Sequence, residues 1–411
     1  MHVGIRALLA AALLALSAVC SAADTIKIAL IESLSGPHAA QGHIALRHYQ
    51  AAADFANKNG GALGLKLEIV PIDNKSSTQE ALANLQLAID LGIRYVAQGI
   101  GSEISSALIA AIDEHNERNP GRSVLLLNYG AGDPALTNAK CSYWHFRFDA
   151  NDLMKLAVLV EGIASNPAIA SVYLINQDDE RGQLISREAR RLLAEQRDDI
   201  RIVGEEFHAP NSVKNFAPFA ARVAESGADA LITGNAGDDL SLLIQAAGKS
   251  RDKLSIHTMN AAFTGTPAAI VAAGPADVRN VTTWHSNIAG NRLDVFAKHY
   301  REKYGEEWQL LPAYLSVHML VTAMETARGL EPARVAPVIE GLSFLGPNGP
   351  ISMRKEDHQM FQPLFIAKLA KAGAGGVNAD AEGTGYGWMT ELRLETDKTV
   401  MPTTCRMPRS K

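Results

Sequence analysis

Beyond its first 23 residues the sequence has no uncharged apolar run approaching the roughly 20 residues that a membrane helix needs, so that stretch is not read as an integral membrane protein. It also lacks blocks of like charge: 39 basic and 44 acidic side chains are spread along it, the formal charge is −5, and nothing suggests a nucleic-acid partner. None of the twelve histidines falls in an H-E-x-x-H spacing, and no G-x-S-x-G elbow occurs, so neither a zinc-dependent nor a serine hydrolase is signalled. Glycine is plentiful but in the wrong company. Gly373-Ala374-Gly375-Gly376 is not followed by Lys-Ser/Thr and reads as a hairpin end, and Gly99-Ile100-Gly101 lacks the third glycine of a dinucleotide fingerprint. No cofactor is implied.

What is present begins at the N-terminus. Arg6 precedes the apolar run Ala7 to Val19, and Ser21-Ala22-Ala23 places small residues where a signal peptidase reads, predicting a cleaved leader over 1–23 and a secreted, periplasmic protein starting at Asp24. Cys20 raises a lipoprotein option, but Ser17-Ala18-Val19 lacks the expected leucine and the small residue before the cysteine. Two cysteines remain, Cys141 and Cys405. In an oxidising compartment they are either a disulfide tying the C-terminal tail to the body or two buried thiols.

The rest is long enough for two domains of ordinary size. Short β-rich runs such as Ile26 to Ile31, Lys66 to Ile72, Tyr95 to Gln98 and Ser123 to Leu127 alternate with helical patterns at 43–59, 79–91 and 105–117. A second cycle follows Asp149, with strands near 171–175, 201–205 and 230–233. The expected fold is α/β, two lobes with parallel-type sheets covered on both faces and a ligand cleft outside the carboxyl ends of the strands.

The segment Ile26 to Ile31, Ser35-Gly36-Pro37, Gly42, Asn57-Lys58-Asn59-Gly60-Gly61, Gly64 and Asp73 resembles the type I periplasmic binding proteins of the leucine/isoleucine/valine class. The resemblance continues through Tyr95-Val96, Ser102, Pro134 to Thr137, Asn176 to Gly182 and Gly346-Pro347. It implies two Rossmann-like lobes joined by three crossings, with 24–147 plus 279–357 in the first and 148–278 plus 358–411 in the second. It further implies a monomeric substrate-binding component of an ABC importer, which closes over a small-molecule ligand and delivers it to a membrane permease.

The same resemblance places Ser102 and the loop Gly130, Ala131, Gly132 and Asp133 where the family holds a carboxylate. A hydroxyl and free N–H groups at a helix start suit an anion, although a plain N-cap serine reads the same way. The positions that hold an α-ammonium in the amino-acid binders fall on Gly132 and Asn260, neither of which carries negative charge, and a buried ammonium needs one. Asp133 is either a displaced substitute or a turn former before Pro134. The usual tyrosine positions hold Gln41, Arg181 and Asn235, giving a polar pocket and pointing to small acids or polar metabolites. Arg181 either pairs with a neighbour in Asp178-Asp179-Glu180 or reaches the cleft to bind an acidic group. Asn128 and Tyr129 stand at a strand end, where side chains face the cleft in this architecture; Tyr129 either meets the ligand or packs the core, and 144–147 and Trp284 fall near crossings. A sensory binding protein and, less favoured, an exported hydrolase are the alternatives.

Overall fold

The computed structural model describes residues 25–250, 254–274 and 277–408. The expected leader at 1–23 lies outside the described residues. A five-stranded parallel sheet in the order β2-β1-β3-β4-β5 forms the first lobe, from β1 (Ile26–Glu32), β2 (Leu67–Asp73), β3 (Tyr95–Gln98), β4 (Leu125–Asn128) and β5 (His145–Arg147). The inner strands β3 and β4 are buried along their length because both faces of the sheet are covered, by α1 (Ala39–Lys58) on one side and by α2 (Thr78–Asp90) and α3 (Ser102–Arg118) on the other. The glycine of the Ser35-Gly36-Pro37 turn has φ 81°, and a Cβ on Gly42 would lie 1.9 Å from the Ser33 carbonyl oxygen. Glycine is required at both places, in the first by backbone conformation and in the second by close approach.

The second lobe is a seven-stranded sheet in the order β15-β14-β10-β9-β8-β6-β7. The strands β6 (Ser171–Gln177), β7 (Arg201–His208), β8 (Ala230–Thr233), β9 (Ser255–Thr258) and β10 (Asp277–Thr282) run parallel. The strands β14 (Leu364–Lys371) and β15 (Tyr386–Leu394) pair antiparallel, and the glycine-rich segment after Lys371 forms the end of their hairpin. The helices α4 (Asp152–Ala164), α5 (Glu180–Gln196), α6 (Ala217–Ser226), α7 (Gly237–Ser250) and α8 (Thr266–Ala273) belong to this lobe, whereas α9 (Asp294–Tyr304), α10 (Leu311–Ala327) and α11 (Pro332–Ile339) return to the first. A small antiparallel sheet, β11 (Ser343–Gly346), β12 (Gly349–Met353) and β13 (Met360–Phe361), adds Ile351, Met353 and Met360 to the first core.

Three expected boundaries move. Strand β10 hydrogen-bonds to β9 and β14 along its length, so the division at 278/279 cuts a strand and the passage between lobes falls after Thr282. Strand β13 pairs with β12, so the next passage falls after Phe361 instead of at 357/358. The tail, expected in the second lobe, leaves it again. Thr403 Oγ1 donates to the Thr137 carbonyl at 3.1 Å, Met407 enters the first core, and Cys405 is disulfide-bonded to Cys141 across a separation of 264 residues.

Candidate functional site

The ends of β1, β3 and β4 set the first half of the cleft. Gly101, with φ 92°, is the N-cap of α3, so Ser102 is the first helical residue and not the cap. Its hydroxyl accepts a hydrogen bond from the Asp133 N–H at 3.2 Å and thereby ties the α3 start to the loop after β4. No side chain caps α3. The start of this 17-residue helix therefore keeps its uncapped N–H groups and the positive end of its dipole, beside a serine hydroxyl and the Gly132 main chain.

Asn128, expected to face the cleft, turns into its own loop, and of the two readings of Tyr129 core packing holds. Asn128 is fully buried, and its Oδ1 accepts from the N–H groups of Gly130 at 3.0 Å and Ala131 at 2.9 Å, which makes it the former of the loop. Tyr129 is buried with its ring edge against Tyr49, and its hydroxyl donates to Glu32 Oε1 at 2.6 Å. Ala131 is buried with its N–H already bonded, Gly130 is exposed, and Gly132 is half-buried. Asp133 Oδ1 accepts from the Ala135 N–H at 2.8 Å, so of its two readings the turn former holds. Gln41 lies half-buried in the first turn of α1.

In the second lobe, Arg181, Asn235 and Asn260 come together from the ends of β6, β8 and β9. The Gly234 carbonyl accepts from Arg181 Nη1 at 2.6 Å and from Asn260 Nδ2 at 3.1 Å, and Asn260 Nδ2 also meets the Asn235 carbonyl at 3.0 Å. Asn235 is fully buried, with Nδ2 2.8 Å from His208 Nε2 and Oδ1 without a partner among the described residues. Arg181 does not pair within its own acidic run. Asp179 is instead the N-cap of α5, and Arg181 forks onto Asp152, with Nε to Oδ2 at 2.8 Å and Nη2 to Oδ1 at 3.0 Å. Its side chain keeps 32% exposure and two N–H donors beyond those three bonds.

Asp152 went unnoticed in the sequence, yet it joins the halves. Its N–H donates to the Gly132 carbonyl at 2.9 Å, and a Cβ on Gly132 would lie 2.6 Å from Asp152 Oδ1, so the missing side chain of Gly132 is what admits the carboxylate. Burial alone would raise the Asp152 pKa, but the Arg181 guanidinium outweighs it and holds the carboxylate ionised, below its usual range. The first passage carries a second guanidinium: Arg147 is fully buried, its Nη2 donates to the Asp133 carbonyl at 2.5 Å, and desolvation lowers its pKa to about 10. Glu32 was also unnoticed. Among the described residues no group of three or more His, Cys, Asp or Glu side chains could hold a metal ion.

The arrangement sets an uncapped helix start with a serine hydroxyl on one lobe against an arginine–carboxylate pair on the other. The family model of the periplasmic binding proteins matches residues 25–374. A Leu/Ile/Val-binding protein homolog 4 of Brucella abortus is 28% identical over 418 residues, covering 97% of this chain and 96% of that protein. A leucine-, isoleucine-, valine-, threonine- and alanine-binding protein of Pseudomonas aeruginosa is 24% identical over 80% of this chain and 85% of its own length. Among solved structures, a protein of that description from Brucella ovis in a closed conformation superposes with a TM-score of 0.84 at 26% identity, covering 94% of this chain and all of that one. A solute-binding protein of Rhodopseudomonas palustris in complex with 3,4-dihydroxybenzoic acid superposes at 0.74 and 16% identity, over 90% of this chain and 98% of its own, a likeness of fold alone.

Proposed function

This chain belongs to the periplasmic binding protein family, and we propose that it is the extracytoplasmic substrate-binding component of an ABC importer, a binder without catalytic activity that captures a small carboxylate-bearing solute. The observation that carries this reading is the Ser102–Gly132 cradle set against the Arg181–Asp152 pair. The ligand carboxylate would take the N–H groups at the α3 start, the Ser102 hydroxyl and the Gly132 main chain.

Asp152 reopens the question of an ammonium group. The negative charge that Gly132 and Asn260 cannot supply is present one residue contact away, so an amino-acid-like zwitterion fits the charge pattern alongside a simple acid. The polar residues Gln41, Asn235 and Asn260 disfavour a wholly aliphatic side chain. The free Arg181 donors suit a second oxygen-bearing group on the ligand. Ligand then bridges the lobes, and only contacts added in the closed form shift the equilibrium towards closure, so the second-lobe residues govern closure as well as affinity. Delivery to a permease and residence in the periplasm follow from the family and from the leader expected at 1–23.

The test is a thermal-shift screen of protein refolded free of ligand against amino acids, aromatic acids and short aliphatic acids, because a ligand specific for the native state raises apparent stability. Polar amino acids or small acids should give the largest rise in Tm. A response to leucine and valine stronger than to any polar compound would overturn the polar-pocket reading, and turnover of a hit would overturn the non-enzymatic one.

A further inference from the structure

The cradle stands on a carboxyl group that no ligand reaches. Glu32, the last residue of β1, is fully buried. Its Oε1 accepts from the Gly99 N–H at 2.6 Å, the Ile100 N–H at 3.1 Å and the Tyr129 hydroxyl at 2.6 Å, and its Oε2 accepts from the Ser33 N–H at 3.2 Å. These four donors come from the ends of three neighbouring strands. Gly99 and Ile100 lead directly into Gly101 and Ser102, and Tyr129 leads into Gly130 to Asp133. A Cβ on Gly99 would lie 2.8 Å from the Tyr129 ring and 2.9 Å from the Gly130 nitrogen, so the two loops are in contact where Glu32 holds them.

We propose that Glu32 is a positioning residue for the ligand cradle: its carboxyl group sets the spacing between the loop before α3 and the loop after β4, and anion binding in that cradle is coupled to proton uptake by Glu32. The inference rests on the reading of Ser102 and Gly132 as a carboxylate site. The reason is electrostatic. An ionised Glu32 beneath the cradle opposes a second negative charge above it, whereas the protonated form does not, and binding and protonation must then favour one another reciprocally. The groups that face Glu32 are Tyr129 and Tyr49, both buried and raised above the usual phenol range, so neither titrates near neutrality, and among the described residues no cation is paired with the carboxylate. Burial raises Glu32 from 4.5 to about 7 against the opposing effect of its four hydrogen bonds, which places the coupling within the ordinary pH range.

The test is an NMR pH titration of the full protein with and without acetate as the simplest carboxylate probe. Without acetate, the amide resonances of Gly99, Ile100, Ser102 and Asp133 should share one titration between about pH 6 and 8, absent in Glu32→Gln, which keeps the shape and accepting oxygen. Tyr129→Phe removes one bond that favours the carboxylate and should move the midpoint upward. With acetate, the Ser102 and Gly132 amides report binding, and the affinity should fall about threefold or more from pH 6 to 8, with a flat profile in Glu32→Gln. If Gly99 and Ile100 titrate while Ser102 and Asp133 do not, the positioning role is overturned, and if acetate binds with an affinity independent of pH in the natural protein, the coupling is overturned. If acetate leaves the Ser102 and Gly132 amides unmoved at every pH while all four amides titrate together, the coupling to an anion falls with the carboxylate-site reading and the spacing role of Glu32 stands.

Discussion

Glu32 couples the native state to pH with a definite sign. Its folded pKa lies above its ordinary value, so the folded protein binds the proton more tightly. The stabilisation is fully present below about pH 4.5, is lost as pH rises towards about 7, and is absent above that. Denaturant unfolding at pH 5 and pH 8 should show a loss on going to high pH of at most about 3 kcal/mol from this group, and Glu32→Gln should remove that part of the dependence. Gly132→Ala should be costly for a different reason. Its methyl group would stand 2.6 Å from Asp152 Oδ1, so either the arginine–carboxylate pair or the first-lobe loop must shift; we expect a loss of about 1–3 kcal/mol in stability together with loss of ligand response in the thermal-shift assay. The contrast with Gly130, exposed and with a Cβ no closer than 3.1 Å to other atoms, makes Gly130→Ala the milder control.

These residues also show what could be read before the fold was known. Ser102 and Gly132 were singled out by the family resemblance, which places them at the start of a helix and in the loop after a strand. Asp152 was not, because its significance depends on an empty Cβ position twenty residues away and on an arginine twenty-nine residues further along. Glu32 did leave a signal, an acid closing an otherwise apolar strand run, and nothing in the sequence could say that four donors from three strands would converge on it. Asn128 stands at the expected strand end but folds back to close its own loop instead of facing the cleft, and Tyr129 takes the core reading that its position left open.

At the scale of elements, the parallel strands of both lobes follow from their apolar runs and the helices between them, and the helical patterns at 43–59 and 105–117 fall within a few residues of α1 and α3. The passages between lobes were less legible because they are set by pairing partners distant in sequence: β10 is held by β14, and β13 by β12. The tail is the clearest case. After β15 it passes beside both cores, with Met401 against the second and Met407 in the first, and the Cys141–Cys405 bond fixes its end to the first lobe. The chain therefore passes between lobes four times, the last under covalent restraint. Replacing both cysteines by serine should lower stability by about 2–4 kcal/mol in chemical denaturation, with the tail becoming sensitive to limited proteolysis beyond about residue 395. An unchanged unfolding midpoint would mean that the tail's hydrogen bonds and Met407 alone hold it.

For the molecule as a whole, two separately built cores and a polar junction between them fit a protein whose work is opening and closing. The first lobe presents donors for an anion, the second an arginine already paired to a carboxylate, and one main-chain bond from Asp152 to Gly132 spans them. Because the Arg181–Asp152 pair sits at the junction, Arg181→Ala leaves a buried carboxylate without its partner, and we expect weakened closure on ligand addition, measured as a smaller decrease in radius of gyration by small-angle scattering, in addition to reduced stability. The most direct test is calorimetric: the affinity of the best carboxylate hit for the natural protein and for Ser102→Ala, whose hydroxyl makes the tie to Asp133 and, on the proposed reading, would also meet the ligand. A loss of about tenfold or more is predicted, whereas equal affinity in the two proteins would contradict the cradle as the site where ligand is held.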